Sequence, residues 1–474
     1  MPPLETNSPI ATELLVDLER GGSVSLHRQV ELTLRQGIRS GRLAAGAALP
    51  PTRTLAAELG VSRGVVVEAY SQLVAEGYLT SRSGGYTHVA ADLGTRTEQL
   101  TPQTPVKTST AKVDFGYGRA NVAAFPRQAW LRSVRRVLSE APDESLNYPD
   151  GQGSGTLREA LADYLNRVRG TVARPENLVV TSGYAQGIAL LLGVLAERGA
   201  RRLAVEDPSG NDDARVIAAK FGIELVAVPV DGDGIRIDAL ERLQADALIL
   251  TPSHQWPTGA VLSAEARAAV VAWALRTGAL IVEDDYDAEY RYDRAPIGAI
   301  QGLVPDQVAY AGTASKTLAP GFRLGWFVLP TELLAPFAAA KLLADRGSPV
   351  IDQLTFADFL RRGEFDRHLR RMRPIYHERR DALVAELGQR LPQLRPTGIA
   401  AGLHLVGWLS DDVPEAALVE AARQRGVTIA GVAPYRLVPA QRGGLIFGYS
   451  DLSTSAIRRG VRLLEQAVAD VSSS

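Results

Sequence analysis

The sequence predicts an α/β chain in two unlike parts: a small helical head ending in a hairpin, and a large rear part built on a mainly parallel sheet, with a smaller α/β subdomain at its C-terminal end. Three observations carry this. The chain has 474 residues, enough for two or three domains. Residues 91–112 are rich in Thr, Pro and Gln and show no apolar period, the composition of a flexible linker. The rear part alternates short apolar strands with helical patterns, the mark of a sheet covered on both faces. The expected division is therefore a head of residues 1–90, a linker of residues 91–112, and a large domain of residues 113–474. As a coil, the linker would span roughly 25 Å.

In the head, Leu26, Val30, Leu34 and Ile38 recur on one helix face between Ser25 and Arg39, and Gly41 ends the run. Pro50-Pro51-Thr52 opens a short helix, Arg53 to Leu59, closed by Gly60. Ser62 is placed to cap a third helix that runs to Glu76. Tyr78-Leu79-Thr80, a turn at Ser83-Gly84-Gly85, and Tyr86 to Ala90 read as a hairpin. Two short helices around a glycine turn, followed by a hairpin, make a winged helix-turn-helix. Leu55, Leu59, Val66, Ala69 and Leu73 are its expected core. Arg53, Ser62 and Arg63 stand at helix starts, where side chains and free N–H groups meet phosphates. Arg82 and Gly85 would sit at the wing tip, within reach of a minor groove. The head holds eight Arg and no Lys against eight Asp plus Glu, so any basic surface must be local. Between His27 and Arg63, six Arg face two Glu. A winged helix used only for protein contact is the bland alternative.

Strands are expected at Asn177–Thr181, Arg202–Val205, Glu224–Pro229, Ala247–Thr251, Leu280–Asp284, Val308–Ala311 and Arg323–Leu329. Chemistry gathers at their ends. Thr313-Ala314-Ser315-Lys316 follows one strand, so the lysine amine can point into a cleft, and Arg323 lies seven residues on. Hydroxyls and an arginine suit a phosphate, and a lysine beside a phosphate site is what a pyridoxal 5′-phosphate Schiff base needs. Glu283-Asp284-Asp285-Tyr286 ends another strand. A carboxylate there can hold a pyridinium N–H protonated; Asp284 is preferred over Asp285, and Tyr286 would reach the ring's phenolic oxygen. Ser182-Gly183-Tyr184-Ala185 is a strand–turn–helix whose N–H groups open toward a phosphate. His254, after a further strand, is either a ligand contact or a loop hydrogen bond. Gly151-Gln152-Gly153-Ser154-Gly155 lacks the preceding strand that a dinucleotide fingerprint requires. His377 and the run Arg367–Arg373 read as a solvated helix face.

Leu49 to Ala90 resembles the GntR-type winged helix, and the four strand-end motifs make the rear part resemble fold-type I aminotransferases. Together the chain resembles the MocR/GabR family of transcription factors. That resemblance implies operator DNA, pyridoxal phosphate bound at Lys316, a small-molecule effector, and a homodimer in which Tyr148 reaches the partner's cofactor phosphate. The sequence departs from the pattern in three places. Glu206-Asp207-Pro208 is followed by Ser209 and Gly210 rather than an aromatic. Trp256 stands where aminotransferases commonly carry Asn. No Arg occurs in Leu445 to Ser450, where a substrate carboxylate would be held; Arg436 and Arg442 are the nearest substitutes. This favours a regulator over its rival, a working aminotransferase with a DNA-binding module attached. It also makes an α-amino acid a poorer effector and pyridoxal phosphate itself, as in the PdxR branch, a better one.

Composition supports a cytoplasmic protein with no membrane partner. Lys plus Arg is 52 against 53 Asp plus Glu, which excludes a polybasic whole-chain binder. Cys is absent, so thiolate catalysis and Cys-based metal sites are excluded. The six His show no ligand spacing, and no metal is expected. The apolar run Ile188 to Ala196 is too short to cross a bilayer.

Overall fold

The computed structural model describes residues 18–81, 86–90, 112–210, 212–292, 297–398, 401–440 and 442–472. Two compact units divide between Thr108 and Ser109.

The first unit holds helices Leu26–Arg39, Thr52–Glu58 and Arg63–Ala75 and an antiparallel hairpin, Leu79–Ser81 with Thr87–Val89. Ala48 bridges to His88 on the hairpin's other edge. Val30, Leu34, Ile38, Leu55, Val66, Ala69, Leu73, Leu79 and Val89 are buried in one cluster, so the helical period read from the sequence faces inward. Leu59 is only partly buried against it. Ser62 occupies the cap position of the third helix, but its side chain makes no capping bond. Arg82, Gly85 and the expected turn lie outside the described residues.

The second unit centres on an eight-stranded sheet, in the order Leu178–Thr181, Gly325–Val328, Val308–Thr313, Leu280–Asp285, Ala247–Leu250, Arg202–Asp207, Glu224–Asp231, Gly234–Ile235. The middle pairs are parallel; Gly325–Val328 runs antiparallel to both its neighbours. Its neighbours therefore point the same way, and six strands deliver their C-terminal ends to one edge. The strands are buried on both faces: Val179, Val282 and Phe327 enter one apolar cluster, while Val180 and Trp326 enter another and Ile281 a third. Helices are needed on both sides, and this explains near-continuous apolar strands instead of alternating ones.

The smaller subdomain is a four-stranded sheet, Arg395–Thr397, His404–Trp408, Gly444–Gly448 and Ala430–Gly431, against the long helices Glu364–Arg390 and Thr454–Ser472. A strand absent from the sequence reading, Val113–Asp114, pairs in parallel with Val427–Thr428. Two residues are too few to display any period. The arginine run also divides: Arg367 is solvated, whereas Arg373 donates to the carbonyl of Glu289 at 2.8 Å and His368 is buried against the carbonyl of Thr317 at 2.9 Å.

Candidate functional site

The strand ends enclose a cavity of about 310 Å³, the lower range for small-molecule sites. Lys316, Asp284, Tyr286, Thr313, Ser315, Tyr184, Ala185 and Arg323 line it. These residues come from segments up to 139 positions apart, Tyr184 to Arg323, and strand order brings them together. Gly183 stands just outside the lining, and Ser182 beside it.

Lys316 follows the strand Val308–Thr313, in a turn tightened by the Ser315 N–H bonding Thr313 Oγ1 at 3.1 Å. Its Nζ donates to the carbonyl of Gly118 at 2.7 Å. Burial holds the amine below its ordinary value, partly offset by Asp287 and Asp284. A lysine whose neutral form is favoured is a better nucleophile toward a carbonyl.

Successive strand residues face opposite ways, and this separates the two aspartates. Asp284 lines the cavity; burial and the charge of Asp285 push its carboxyl up to about 8. Asp285 points to the other face, where Arg169 Nε donates to it at 2.6 Å and Tyr310 Oη at 2.7 Å. Asp285 is thus consumed by a buried ion pair, and Asp284 is the carboxyl free to meet a ligand. A cation beside Asp284 would draw its proton off and pair with the carboxylate.

At the phosphate-like end, Gly183 begins helix Tyr184–Glu197 with φ +87°, a conformation that favours glycine. Arg323, itself left-handed at φ +50°, donates from Nη2 to the carbonyl of Ser182 at 2.9 Å. Helix N-terminus and guanidinium therefore flank one spot, which suits an anion. Ser182 donates its own N–H to Gln186 Oε1 at 2.8 Å. Gln186 in turn donates to Asp345, which pairs with the buried Lys341.

His254 is not on the wall. It is buried behind Tyr286, its Nδ1 3.0 Å from Asp287 Oδ2, and the Tyr286 hydroxyl donates to its carbonyl at 2.9 Å. It orients Tyr286 and does not touch the cavity. The fold also overturns the impression of scattered histidines: the rings of His254 and His404 lie 4.9 Å apart beside Asp287. The three could hold an ion, but His254 is already satisfied by Asp287, and His404 faces the carbonyl of Pro257 at 3.1 Å. Tyr148 is 89% exposed and lies outside this cavity.

Arg436 and Arg442 do not replace the missing carboxylate clamp. Both guanidiniums stack over the Trp408 ring, away from the cavity lining. The sequence reading missed Tyr117, Gly118, Asp213, Leu403 and His404, all of which line the cavity. Only Gly116-Tyr117-Gly118, an aromatic between two glycines just past the linker, offered a signal. Glu206 also lines it, its carboxyl pushed up to about 7 by burial, partly offset by hydrogen bonds from Thr251.

On the first unit, Ser62, Arg63 and Arg53 are exposed together at the starts of the second and third helices, with Arg63 Nε 3.5 Å from Thr52 Oγ1. The other arginines of the stretch are partly spent: Arg28 and Arg35 bind Glu31, Arg35 also binds Glu76, and Arg39 donates to Tyr78. The local basic surface is narrower than six arginines suggest.

Residues 26–89 match the family described as bacterial regulatory proteins, gntR family, and residues 112–443 match aminotransferase class I and II. Across 96% of its length the chain is 33% identical to the probable rhizopine catabolism regulatory protein MocR of Rhizobium meliloti, covering 96% of that protein. The chain belongs to the MocR-type transcriptional regulators. This regulator is also 33% identical to the pyridoxine biosynthesis transcriptional regulator PdxR of Corynebacterium glutamicum, over 96% of this chain and 99% of that one. Among solved structures, the multiple substrate aminotransferase of Thermococcus profundus superposes with a TM-score of 0.72 at 24% identity, over 78% of this chain and 93% of that one. The α-aminoadipate aminotransferase LysN of Thermus thermophilus, complexed with N-(5′-phosphopyridoxyl)-L-leucine, superposes with a TM-score of 0.69 at 25% identity, over 78% of this chain and 96% of that one. The regulator therefore joins a GntR-type DNA-binding head to an aminotransferase-like domain. Among its described residues, no helix is long and apolar enough to cross a membrane.

Proposed function

We propose that the regulator binds pyridoxal 5′-phosphate in this cavity and reports a small molecule there to operator DNA held by the head. The observation that carries the reading is the meeting of Lys316, Asp284 and Arg323 in one cavity. Lys316 supplies the amine for covalent attachment. Asp284 holds the ring N–H, a role for which a buried carboxyl needs a cationic partner. Arg323 and the N-terminus of helix Tyr184–Glu197, with Thr313 and Ser315, take the phosphate. Tyr286, braced by His254, faces the ring oxygen. When bound, the cofactor supplies an electrophilic carbon that captures amines. The chain's own residues fix and screen it, and among the described residues no other arginine lines the cavity to take a substrate carboxylate once Arg323 serves the phosphate. That supports sensing over turnover, and an effector other than an α-amino acid, pyridoxal phosphate itself included. The regulator acts as a homodimer, with Tyr148 of each chain serving the other's cavity.

The experiment is a visible absorption spectrum of the purified full chain with pyridoxal phosphate, followed by borohydride reduction and peptide mass mapping. One adduct at Lys316, absent from Lys316→Ala, is expected. An adduct at the same stoichiometry in Lys316→Ala would overturn the assignment.

A further inference from the structure

The turn after Arg202–Asp207 carries Gly210 where an aromatic is usual, so one wall of the cavity should be bare. It is not. An ideal Cβ built on Gly210 would stand 1.8 Å from Nε1 and 1.9 Å from Cδ1 of Trp256. The Trp256 indole therefore occupies the very space that a side chain at residue 210 would enter. It reaches there from the neighbouring strand end, after Ala247–Leu250.

The indole is also held in place. It packs on the Tyr117 ring at 4.2 Å between centroids, meets His404 at 4.4 Å and Tyr435 at 5.8 Å, and the Tyr117 and Tyr435 hydroxyls bond each other at 2.5 Å. Trp256 is buried yet lines the same cavity as Lys316, Asp284 and Gly210. A large aromatic braced by three rings and fronting a cavity is held against rotation, so the surface it presents there is fixed.

We propose that Trp256 is the positioning residue that covers the bound ring, replacing from a different loop the aromatic that residue 210 lacks. The glycine at 210 and the tryptophan at 256, where aminotransferases commonly carry Asn, are then a single exchange. The absence of a Cβ at 210 makes room for the indole, and the indole closes the wall. The inference rests on the reading of the cavity as a pyridoxal phosphate site.

The test titrates full-length protein with pyridoxal phosphate and follows both visible absorption and tryptophan emission. Wild type should lose emission as the cofactor loads. Trp256→Phe keeps a ring and should bind within about threefold of wild type, while losing clearly less emission. Trp256→Asn and Gly210→Tyr should each bind about three- to tenfold more weakly, the first for lack of a wall and the second for lack of room. The double variant Gly210→Tyr/Trp256→Asn should recover most of that loss. A double variant that binds no better than the weaker single overturns the inference. If a single variant misfolds, the emission comparison decides: equal quenching in wild type and Trp256→Phe overturns it. Wild type that takes up no cofactor at all overturns the parent reading, and this inference with it, whereas the other failures leave the parent reading standing.

Discussion

The guanidinium of Arg323 lies against the bare Cα of Gly183. Its Nη2 donates to the Ser182 carbonyl at 2.9 Å, and a Cβ added at Gly183 would stand 2.9 Å from the same Nη2. Gly183 also carries φ +87°. Gly183→Ala should therefore strain the turn by about 1 kcal/mol and push the guanidinium off the anion site. Affinity for pyridoxal phosphate should fall at least about tenfold, the size of one lost charge-assisted hydrogen bond. Affinity for pyridoxal, which lacks the phosphate, should hardly change. Equal loss for both ligands would place the phosphate elsewhere.

The neighbouring aspartates should separate cleanly. Asp284→Ala removes a carboxyl that faces the cavity, so cofactor retention should drop with no loss of melting temperature. Asp285→Ala leaves Arg169, 2% exposed at its side chain, as an unpaired buried cation. Breaking such a pair costs about 3–5 kcal/mol. Calorimetry of both variants without cofactor checks this. A more stable Asp285→Ala than Asp284→Ala would contradict the assignment of the two faces.

Stability without cofactor should fall as pH rises through neutrality. Burial pushes Glu206, Glu283 and Glu289 each up to about 7 and Asp284 up to about 8. These carboxyls are raised, not lowered, on folding. Between the ordinary carboxylate values and those raised ones, the folded chain keeps protons that the unfolded chain has released. Stability is then present at low pH and lost as pH climbs through 7 to 8. The buried histidines act the opposite way: burial lowers His368 to about 4 and His404 well below its ordinary value, so their effect is finished once pH passes 6.5. Above that point the carboxyls dominate. The thermal midpoint of cofactor-free protein should decline between pH 6.5 and 8, and Asp284→Asn should make the decline shallower. An unchanged slope in Asp284→Asn would remove Asp284 from the set.

Much of this was legible because the signals are local. The lysine loop, the acidic strand end and the glycine turn each announce themselves within ten residues, and strand order does the rest. What was not legible depends on distance. Trp256 and Gly210 are far apart in sequence, and neither hints at the other until the two loops are adjacent. The pairing of Asp285 with Arg169 depends on a helix end more than a hundred residues upstream, and Arg169 has no motif around it. His254 lies off the cavity wall for the same reason: its loop is next to the cavity, but Asp287 draws the imidazole away. Arg436 and Arg442 were natural substitutes on a linear map, yet the flat face of Trp408 takes both.

In the head, Arg63→Ala and Arg53→Ala should lower operator affinity and each reduce the salt slope by about one, if each meets a phosphate. Arg35→Ala is the internal contrast. Its guanidinium is spent on Glu31 and Glu76, so its loss should lower stability and leave the salt slope unchanged. Binding isotherms over a range of salt distinguish them. A full unit of slope lost in Arg35→Ala would show that the buried network, not the helix starts, faces DNA.

The position of Tyr148 makes the dimer testable. Its loop is tightly seated: a Cβ on Gly151 would stand 2.2 Å from the Ala338 carbonyl oxygen, and one on Gly347 would stand 2.5 Å from Pro149. The loop is thus fixed against the same helix, Thr331–Asp345, that steadies the turn at Ser182 through Gln186 and Asp345. Yet Tyr148 itself points outward, 89% exposed, and Leu131 and Leu138 are exposed on one face of helix Arg127–Glu140. A rigid loop that presents an aromatic hydroxyl to nothing among the described residues of its own chain suits a partner's cavity. Mixed dimers of Tyr148→Phe and Lys316→Ala chains test it. Every intact Lys316 then sits in a Tyr148→Phe chain, whose partner supplies the native tyrosine in the mixed dimer and phenylalanine in the parent. Cofactor affinity at that lysine should be about tenfold higher in the mixed dimer, the size of one hydrogen bond to a charged group. Equal affinity in the two species would mean that Tyr148 does not serve the neighbouring chain.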